Sequence, residues 1–407
     1  MVKSRYAGIL IGLTGLIFTH SKGVDLSGLL NSHDPATLIR DGDTYWHFTT
    51  GDGIWSSVSK NLSHWESSNT TVFPIGDWPS WINSYVPDFA GHFWAPDIIF
   101  MNGMYYLYYS CSTFGSSRSA IGVVRTTSLN DPDWQDLGVV VSSNGSTSAI
   151  NAIDPGLFRD DDGKIYMTYG SWFGGIGIIE IDTLTGWSNS STTHLYGGDH
   201  QSIEASTIFK EGEYYYLVVN RGNCCQGINS TYYITAGRSA NVMGPYEDFQ
   251  TILQTEGKYI GPGHFGLLRE SCGNFVSVHY YDGEDNGRPK LDILKLTFTD
   301  DWPELSRNFT FDDCPLGTEF TWYDDWHDEI RVYPNPASGS FSINTGSLKT
   351  SEIIKLTIFN QSGEEVYRAD YLSTDGITVN CDLGIGIFYL RMNTGKKIIT
   401  RKVVMHQ

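Results

Sequence analysis

NAIDPGLFRDDDGKIYMTYGS, Asn151 to Ser171, sets an acid against a proline, follows with an apolar run, turns on an acidic Gly pair and leaves along a tyrosine-rich strand. The unit recurs. A polar residue, Gly, one further residue and an aromatic or apolar strand return as DGDTYWHF, NGMYYLYY, DGKIYMTY, EGEYYYLV and CGNFVSVH. Their glycines, Gly42, Gly103, Gly163, Gly212 and Gly273, are spaced by 61, 60, 49 and 61 residues. Each fits the turn of a hairpin, where a positive φ is cheap only for glycine. An apolar run of strand length precedes every turn: ATLIR, DIIFM, GLFRD, STIFK and FGLLR. A Trp or Gly-Pro signal closes every unit, at Trp65, Trp134, Trp187, Gly244-Pro245 and Trp302. No long amphipathic helical pattern intervenes. Such units cannot bury both faces alone, but stacked radially they can. The expected fold class is all-β: a five-bladed β-propeller over residues 22–313, followed by a small C-terminal β-sandwich. A single large sandwich is the alternative, and it leaves the period unexplained.

Counting back from each turn gives the start of its apolar strand. Asp34, Trp94, Asp154, Glu204 and His264 precede their glycines by 8, 9, 9, 8 and 9 residues. In a propeller these entrances surround the axis at one end, so three carboxylates, an indole and an imidazole converge. One acid before a strand is most often a turn residue, and Asp-Pro adds a local reason because the residue before proline is pushed to an extended conformation. Three acids in equivalent slots weaken that reading, and Glu204 has no proline after it. Clustered carboxylates repel, which costs stability unless function keeps them.

Two functions of different classes follow. In a glycoside hydrolase, one carboxylic acid protonates the leaving oxygen while a carboxylate activates water or attacks. In a lectin-like or scaffold module, the acids hold a cation or sugar hydroxyls. A lectin tends to repeat its site in every blade, whereas these slots read acid, Trp, acid, acid, His; the asymmetry favours an enzyme. The DDDG run at Asp160 to Gly163 lacks the remaining ligands of a calcium loop and reads as a solvated turn.

Composition narrows the partners. A net charge of −19 over 407 residues argues against nucleic acid and anionic membranes, which need basic patches. The opening residues 1–21 combine Lys3 and Arg5 with an apolar run, Ala7 to Phe18, and small residues at Thr19 and Ser21. They read as an export signal too short to span as a mature helix, with a frayed N-terminal helix as the alternative. Six cysteines fit export. Cys272 and Cys314 flank the last repeat and are placed to staple it, whereas the adjacent Cys224 and Cys225 are poorly placed to bond to each other without strain. No Cys/His spacing points to zinc.

The motifs HDP at His33, FWAPDI at Phe93, YYLYYSCSTFG at Tyr105, NAIDP at Asn151, IEA at Ile203, CCQGINSTY at Cys224, GRSANVMGPY at Gly237 and GPGH at Gly261 resemble the family-43 glycoside hydrolases. Within them the chain is most similar to the endo-acting α-1,5-L-arabinanases. The resemblance implies a five-bladed propeller that inverts configuration on arabinan or arabino-oligosaccharides. It implies Asp34 as general base, Glu204 as general acid, and Asp154 as the residue that raises the pKa of Glu204 and orients it. Base and acid would stand about 6.5–9.5 Å apart to admit the water. Trp94 and Phe114 would face furanose rings, with Asn151 and Ser171 near the cleaved sugar; core packing is the alternative for the two aromatics. His264 would hold a largely hydrated metal ion, calcium, on the axis, or else be a buried structural histidine. Two features depart from the family: ASTIF follows Glu204 without the usual proline, and GDWPSWINSYVPDFAG, Gly76 to Gly91, carries Trp78 and Trp81 in a rim loop that would extend or block the groove. The nearest alternatives are an exo-acting α-L-arabinofuranosidase or β-xylosidase, and a non-catalytic arabinan-binding propeller.

Past Cys314 the character changes. Residues 314–330 read as a linker, and 331–407 alternate strands and turns. The YPNP opening and the Gly-Lys-Lys near the end resemble a type IX secretion sorting domain. That resemblance implies the type IX secretion machinery as a partner and a secreted or surface-attached protein. A carbohydrate-binding module is the alternative, but no Trp follows Trp326.

Overall fold

The computed structural model describes residues 24–311, apart from 147–148 and 271, and most of residues 331–406. The expected signal, the linker and Cys314 lie outside the described residues. The fold is all-β: among the described residues the only α-helix is the four-residue turn Ile82–Tyr85.

Five sheets follow one another along the chain, each built on a hairpin centred on a turn glycine that the sequence marks. The first hairpin pairs Ile39–Asp41 with Thr44–Thr49, the second His92–Met101 with Met104–Cys111, and the third Gly156–Arg159 with Ile165–Ser171. The fourth pairs Ile203–Glu211 with Tyr214–Arg221, and the fifth Tyr259–Glu270 with Gly273–Asp282. All five glycines have positive φ, from 56° at Gly212 to 144° at Gly273. Two further antiparallel strands extend each sheet from the second strand of its hairpin.

The buried side chains show how the sheets associate. Phe48 and Trp46 of the first sheet pack with Phe93 and Tyr109 of the second, and Tyr106 and Tyr108 of the second with Ile165 and Met167 of the third. Ile176 and Ile178 of the third pack with Leu217 and Val219 of the fourth, and Tyr216 and Val218 of the fourth with Val276 and Leu294 of the fifth. Leu291 and Ile293 of the fifth pack with Leu38 and Tyr45 of the first. Each sheet thus buries one face against its predecessor and one against its successor, and the fifth returns to the first. The N-terminal segment is bound to both ends of this cycle: Ser27 and Gly28 pair with His64 and Trp65, while Asn31 bridges to Lys290.

Residues 331–406 have a separate core. Seven strands connect through Arg331–Ser338, which changes partner along its length, and Phe341, Ile354, Leu356, Leu390 and Val403 are buried together.

Candidate active site

The strand entrances carry a backbone feature that pattern counting did not foresee. Asp34, Ala95, Asp154, Ala205 and His264 all adopt left-handed backbone, with φ of 49°, 40°, 59°, 51° and 58°. In each case the kink turns the backbone N–H towards the preceding sheet. Asp34 donates to His279 Nδ1 (3.1 Å), Ala95 to Thr50 Oγ1 (2.8 Å) and Asp154 to Ser110 Oγ (2.9 Å). Ala205 donates to Asp154 Oδ2 (3.0 Å) and His264 to Asn220 Oδ1 (3.0 Å). Together the five bonds run round the whole cycle, first sheet to fifth, second to first, and onward. An inward N–H left without its acceptor would cost about 1–3 kcal/mol, which gives these polar acceptors a structural reason to exist.

The ring corrects the slot assignment. In the second and fourth sheets the equivalents of Asp34 are Ala95 and Ala205, not Trp94 and Glu204. The kinks of these two strands fall within their register shifts, between Trp94 and Asp97 and between Glu204 and Thr207. Glu204 therefore enters from the residue before the kink. The ring also explains an asymmetry: four acceptors sit at the end of the second strand, but in the third sheet Gly170 occupies that place and Asp154 takes over. Its carboxylate then grips the peptide that joins Glu204 to Ala205.

Asp34 is the most elaborately held acid. His33 Nδ1 lies 2.8 Å from Oδ2, Thr50 donates to Oδ2 at 3.0 Å, and His279 and His264 stand 3.7 and 3.8 Å from Oδ1. Burial pushes its pKa up, but His33, His279 and His264 together outweigh burial and hold it far below the carboxylate range. Glu204 goes the other way. Burial pushes it up to about 7 and the charge of Asp34 adds to the push, while hydrogen bonds from Tyr232 (2.7 Å) and Trp172 and the charge of His33 oppose it. Asp154 is also driven well above its ordinary value, by burial and then by Glu204 and Asp34. One carboxylate is thus kept ionised beside two whose burial favours the protonated form, the division of labour acid–base catalysis needs. Glu204 is repelled by Asp34 and shares a mutual repulsion with Asp154, which also reaches it through the backbone.

Other sequence candidates separate into two groups. Asn151 and Ser171 are each 2% exposed and bond to each other at 3.1 Å, with Asn151 Oδ1 also accepting from Ser119 and Ser143. Trp94 is half-buried and pairs with Ser110, and Phe114, four residues past Ser110, is 90% exposed on the turn that follows. Core packing is excluded for Phe114. Trp78 and Trp81 pack back on the first and second sheets, their indole N–H groups donating to Asn83 and to Asp136 in the outer strand Gln135–Asn144. His264 is buried and kept neutral by burial, and its ring makes no hydrogen bond among the described residues. A neutral imidazole with a free lone pair beside acidic groups fits a cation that keeps most of its water.

His33, Thr50, Trp172, Tyr232, His279 and Tyr281 were not singled out from the sequence. His33 adjoins the HDP acid, and Tyr232 closes the CCQGINSTY motif. Cys224 and Cys225, a pair poorly placed by adjacency, form a disulfide, with Cys225 at a φ of 69°. Cys272 is disulfide-bonded, as the stapled last repeat requires, with Cys314 beyond the described residues.

The carboxyl cluster on a cyclic set of β-sheets defines a glycoside hydrolase. Residues 29–303 match the model of glycosyl hydrolases family 43, and the chain belongs to that family. Residues 331–406 match the secretion system C-terminal sorting domain, so the protein is secreted or carried at the cell surface. An extracellular exo-α-(1→5)-L-arabinofuranosidase of Cellvibrio japonicus is 36% identical over 67% of this chain and 86% of that protein. An extracellular endo-α-(1→5)-L-arabinanase of Bacillus subtilis is 37% identical over 71% of this chain and 93% of that protein. The solved endo-arabinanase of Bacillus licheniformis superimposes with a TM-score of 0.65 at 35% identity, covering 69% of this chain and 99% of its own.

Proposed function

We propose that the chain is an arabinanase that hydrolyses α-1,5-L-arabinofuranosidic bonds of arabinan or its oligosaccharides by single displacement with inversion, and that it acts within chains. The catalytic unit is a five-bladed propeller over residues 22–313, followed by the linker 314–330 and the sorting domain 331–407; residues 1–21 are the export signal. The observation that carries the reading is the split among the three acids. Asp34, held ionised by His33, takes a proton from water as general base. Glu204, protonated up to about pH 7, delivers its proton to the leaving oxygen. Asp154 orients Glu204 through the Ala205 N–H. Trp94 and Phe114 offer ring faces to the furanoses, and Asn151 and Ser171 shape the wall behind them. His264 would hold a hydrated calcium ion, which when bound adds positive potential on the axis.

Internal cleavage is favoured by Trp81 and the turn Ile82–Tyr85, which lie against the two outer strands of the second sheet and draw that part of the rim loop outward. The exo-acting relative, about as similar as the endo-acting one, keeps end-trimming as the second reading. Digestion of linear α-1,5-arabinan decides between them. Mixed oligosaccharides of inverted configuration are expected early; arabinose alone from the outset would establish end-trimming. No cleavage with retained binding would make the protein a binding module.

The metal has its own test. Elemental analysis should find one calcium per chain in the wild type and none in His264→Ala, with activity lowered by removal of calcium and restored by its return. Full activity in metal-free protein, unchanged by His264→Ala, would overturn this assignment.

A further inference from the structure

The Cys224–Cys225 disulfide lies beside the proposed base. His33 Nε2 is 3.9 Å from Cys224 Sγ and 3.7 Å from Cys225 Sγ, and it also meets Tyr281 Oη at 2.8 Å. Tyr281 Oη in turn accepts the Cys225 N–H at 2.8 Å. On the far side of the ring, His33 Nδ1 faces Asp34 Oδ2 at 2.8 Å. With Nδ1–H donating to that carboxylate, Nε2, which carries the second proton while the ring is charged, points at Tyr281 and the two sulfurs. A carboxylate behind a histidine that presents its other nitrogen is the arrangement that orients and strengthens imidazole ligands of metals.

The distances suit a thiophilic ion. Tetrahedral zinc, with metal–sulfur bonds of about 2.3 Å and metal–nitrogen bonds of about 2.0–2.1 Å, separates its sulfur and nitrogen ligands by roughly 3.5 Å. The sulfur–nitrogen separations here are close to that, and Cys225 is exposed, which leaves a fourth position for water.

We propose that Cys224, Cys225 and His33 form a redox-controlled site for a thiophilic divalent cation. A dithiol reductant transfers two electrons and two protons to the disulfide, yielding two cysteine thiols and the cyclic disulfide of the reductant. When the ion binds, each thiol and the charged His33 ring, at Nε2, release a proton to solvent, and His33 gives the freed lone pair, parting from Tyr281. The bound ion holds the ring away from Tyr281 and so disturbs the Nδ1–H bond that positions Asp34. The oxidised pair binds nothing and leaves the enzyme active; the reduced, loaded pair shuts it down. The activity arm of this claim rests on Asp34 as the base, while the binding arm does not.

The full chain is treated with dithiothreitol, desalted without oxygen and titrated with Cd²⁺. Two more reactive thiols should appear than in Cys224→Ser/Cys225→Ser treated the same way, then about one equivalent of cadmium with an ultraviolet thiolate-to-metal charge-transfer band. Activity should fall at least tenfold on loading, and return after chelation and reoxidation. Cys224→Ser/Cys225→Ser should show neither the band nor the loss. The proposal is overturned if the folded protein yields no more thiols than the double variant, if oxidised and reduced forms bind cadmium alike, or if the double variant keeps the band. Loading without loss of activity would refute the link to the base.

Discussion

Replacing Glu204 by Gln is expected to lower kcat on linear α-1,5-arabinan by about 10²–10⁴-fold, the range that a positioned general acid supplies. The loss should be much smaller on an aryl arabinofuranoside whose leaving group departs without protonation. Asp34→Asn, which removes the base, should be slow on both substrates. Comparable losses for Glu204→Gln on both would show that Glu204 does not protonate the leaving oxygen. The same variant makes a stability prediction of opposite sign. Glu204 in the folded chain is raised from 4.5 to about 7, so between those values the folded state holds a proton that the unfolded state has released. Stability is therefore present below the lower value and lost as pH rises through the window. A shift of this size corresponds to on the order of 3 kcal/mol. Gln carries no such burden, so calorimetry should find Glu204→Gln melting several degrees above wild type at pH 8 and close to it at pH 5. An active-site carboxyl that destabilises its own fold is the trade expected where function retains a strained group.

The repeat and its five glycines were legible because a hairpin turn with positive φ leaves a mark in one residue type, and because the period recurs. The convergence of Asp34, Asp154 and Glu204 was legible for the same reason. What stayed hidden depended on backbone conformation. Ala95 and Ala205 carry no signal for left-handed geometry, so counting from the turns placed Trp94 and Glu204 in slots they miss by one residue. His279 and Tyr281 come from the far end of the chain and reach Asp34 and His33 only because the fifth sheet packs on the first. Glycine at position 170 looks like any strand glycine until its neighbours show that an acceptor is missing there. The disulfide between adjacent cysteines was not legible, because spacing alone says nothing about the φ of Cys225.

The pH profile separates the contributions to Glu204. In kcat/KM on arabinan, activity should decline as pH rises through about 7, where the acid loses its proton. Tyr232 donates to the Glu204 carboxylate and so favours its ionised form. Removing the hydroxyl in Tyr232→Phe withdraws a hydrogen bond to a charged group, about 1.5–3 kcal/mol, so the alkaline limb should move upward by roughly one pH unit or more. Asp154→Asn tests the backbone route. Its amide oxygen can still accept the Ala205 N–H, so the limb should stay near its wild-type position and kcat should fall only modestly. Asp154→Ala, which leaves that N–H without an acceptor, should lower kcat far more with the limb again in place. If Asp154→Asn instead drags the limb down by a unit, Asp154 acts on Glu204 by charge, as the resemblance alone implies. Burial drives Asp154 up as well, and while it holds its proton it repels Glu204 little, so the clamp predicts that geometry is the main contribution of Asp154.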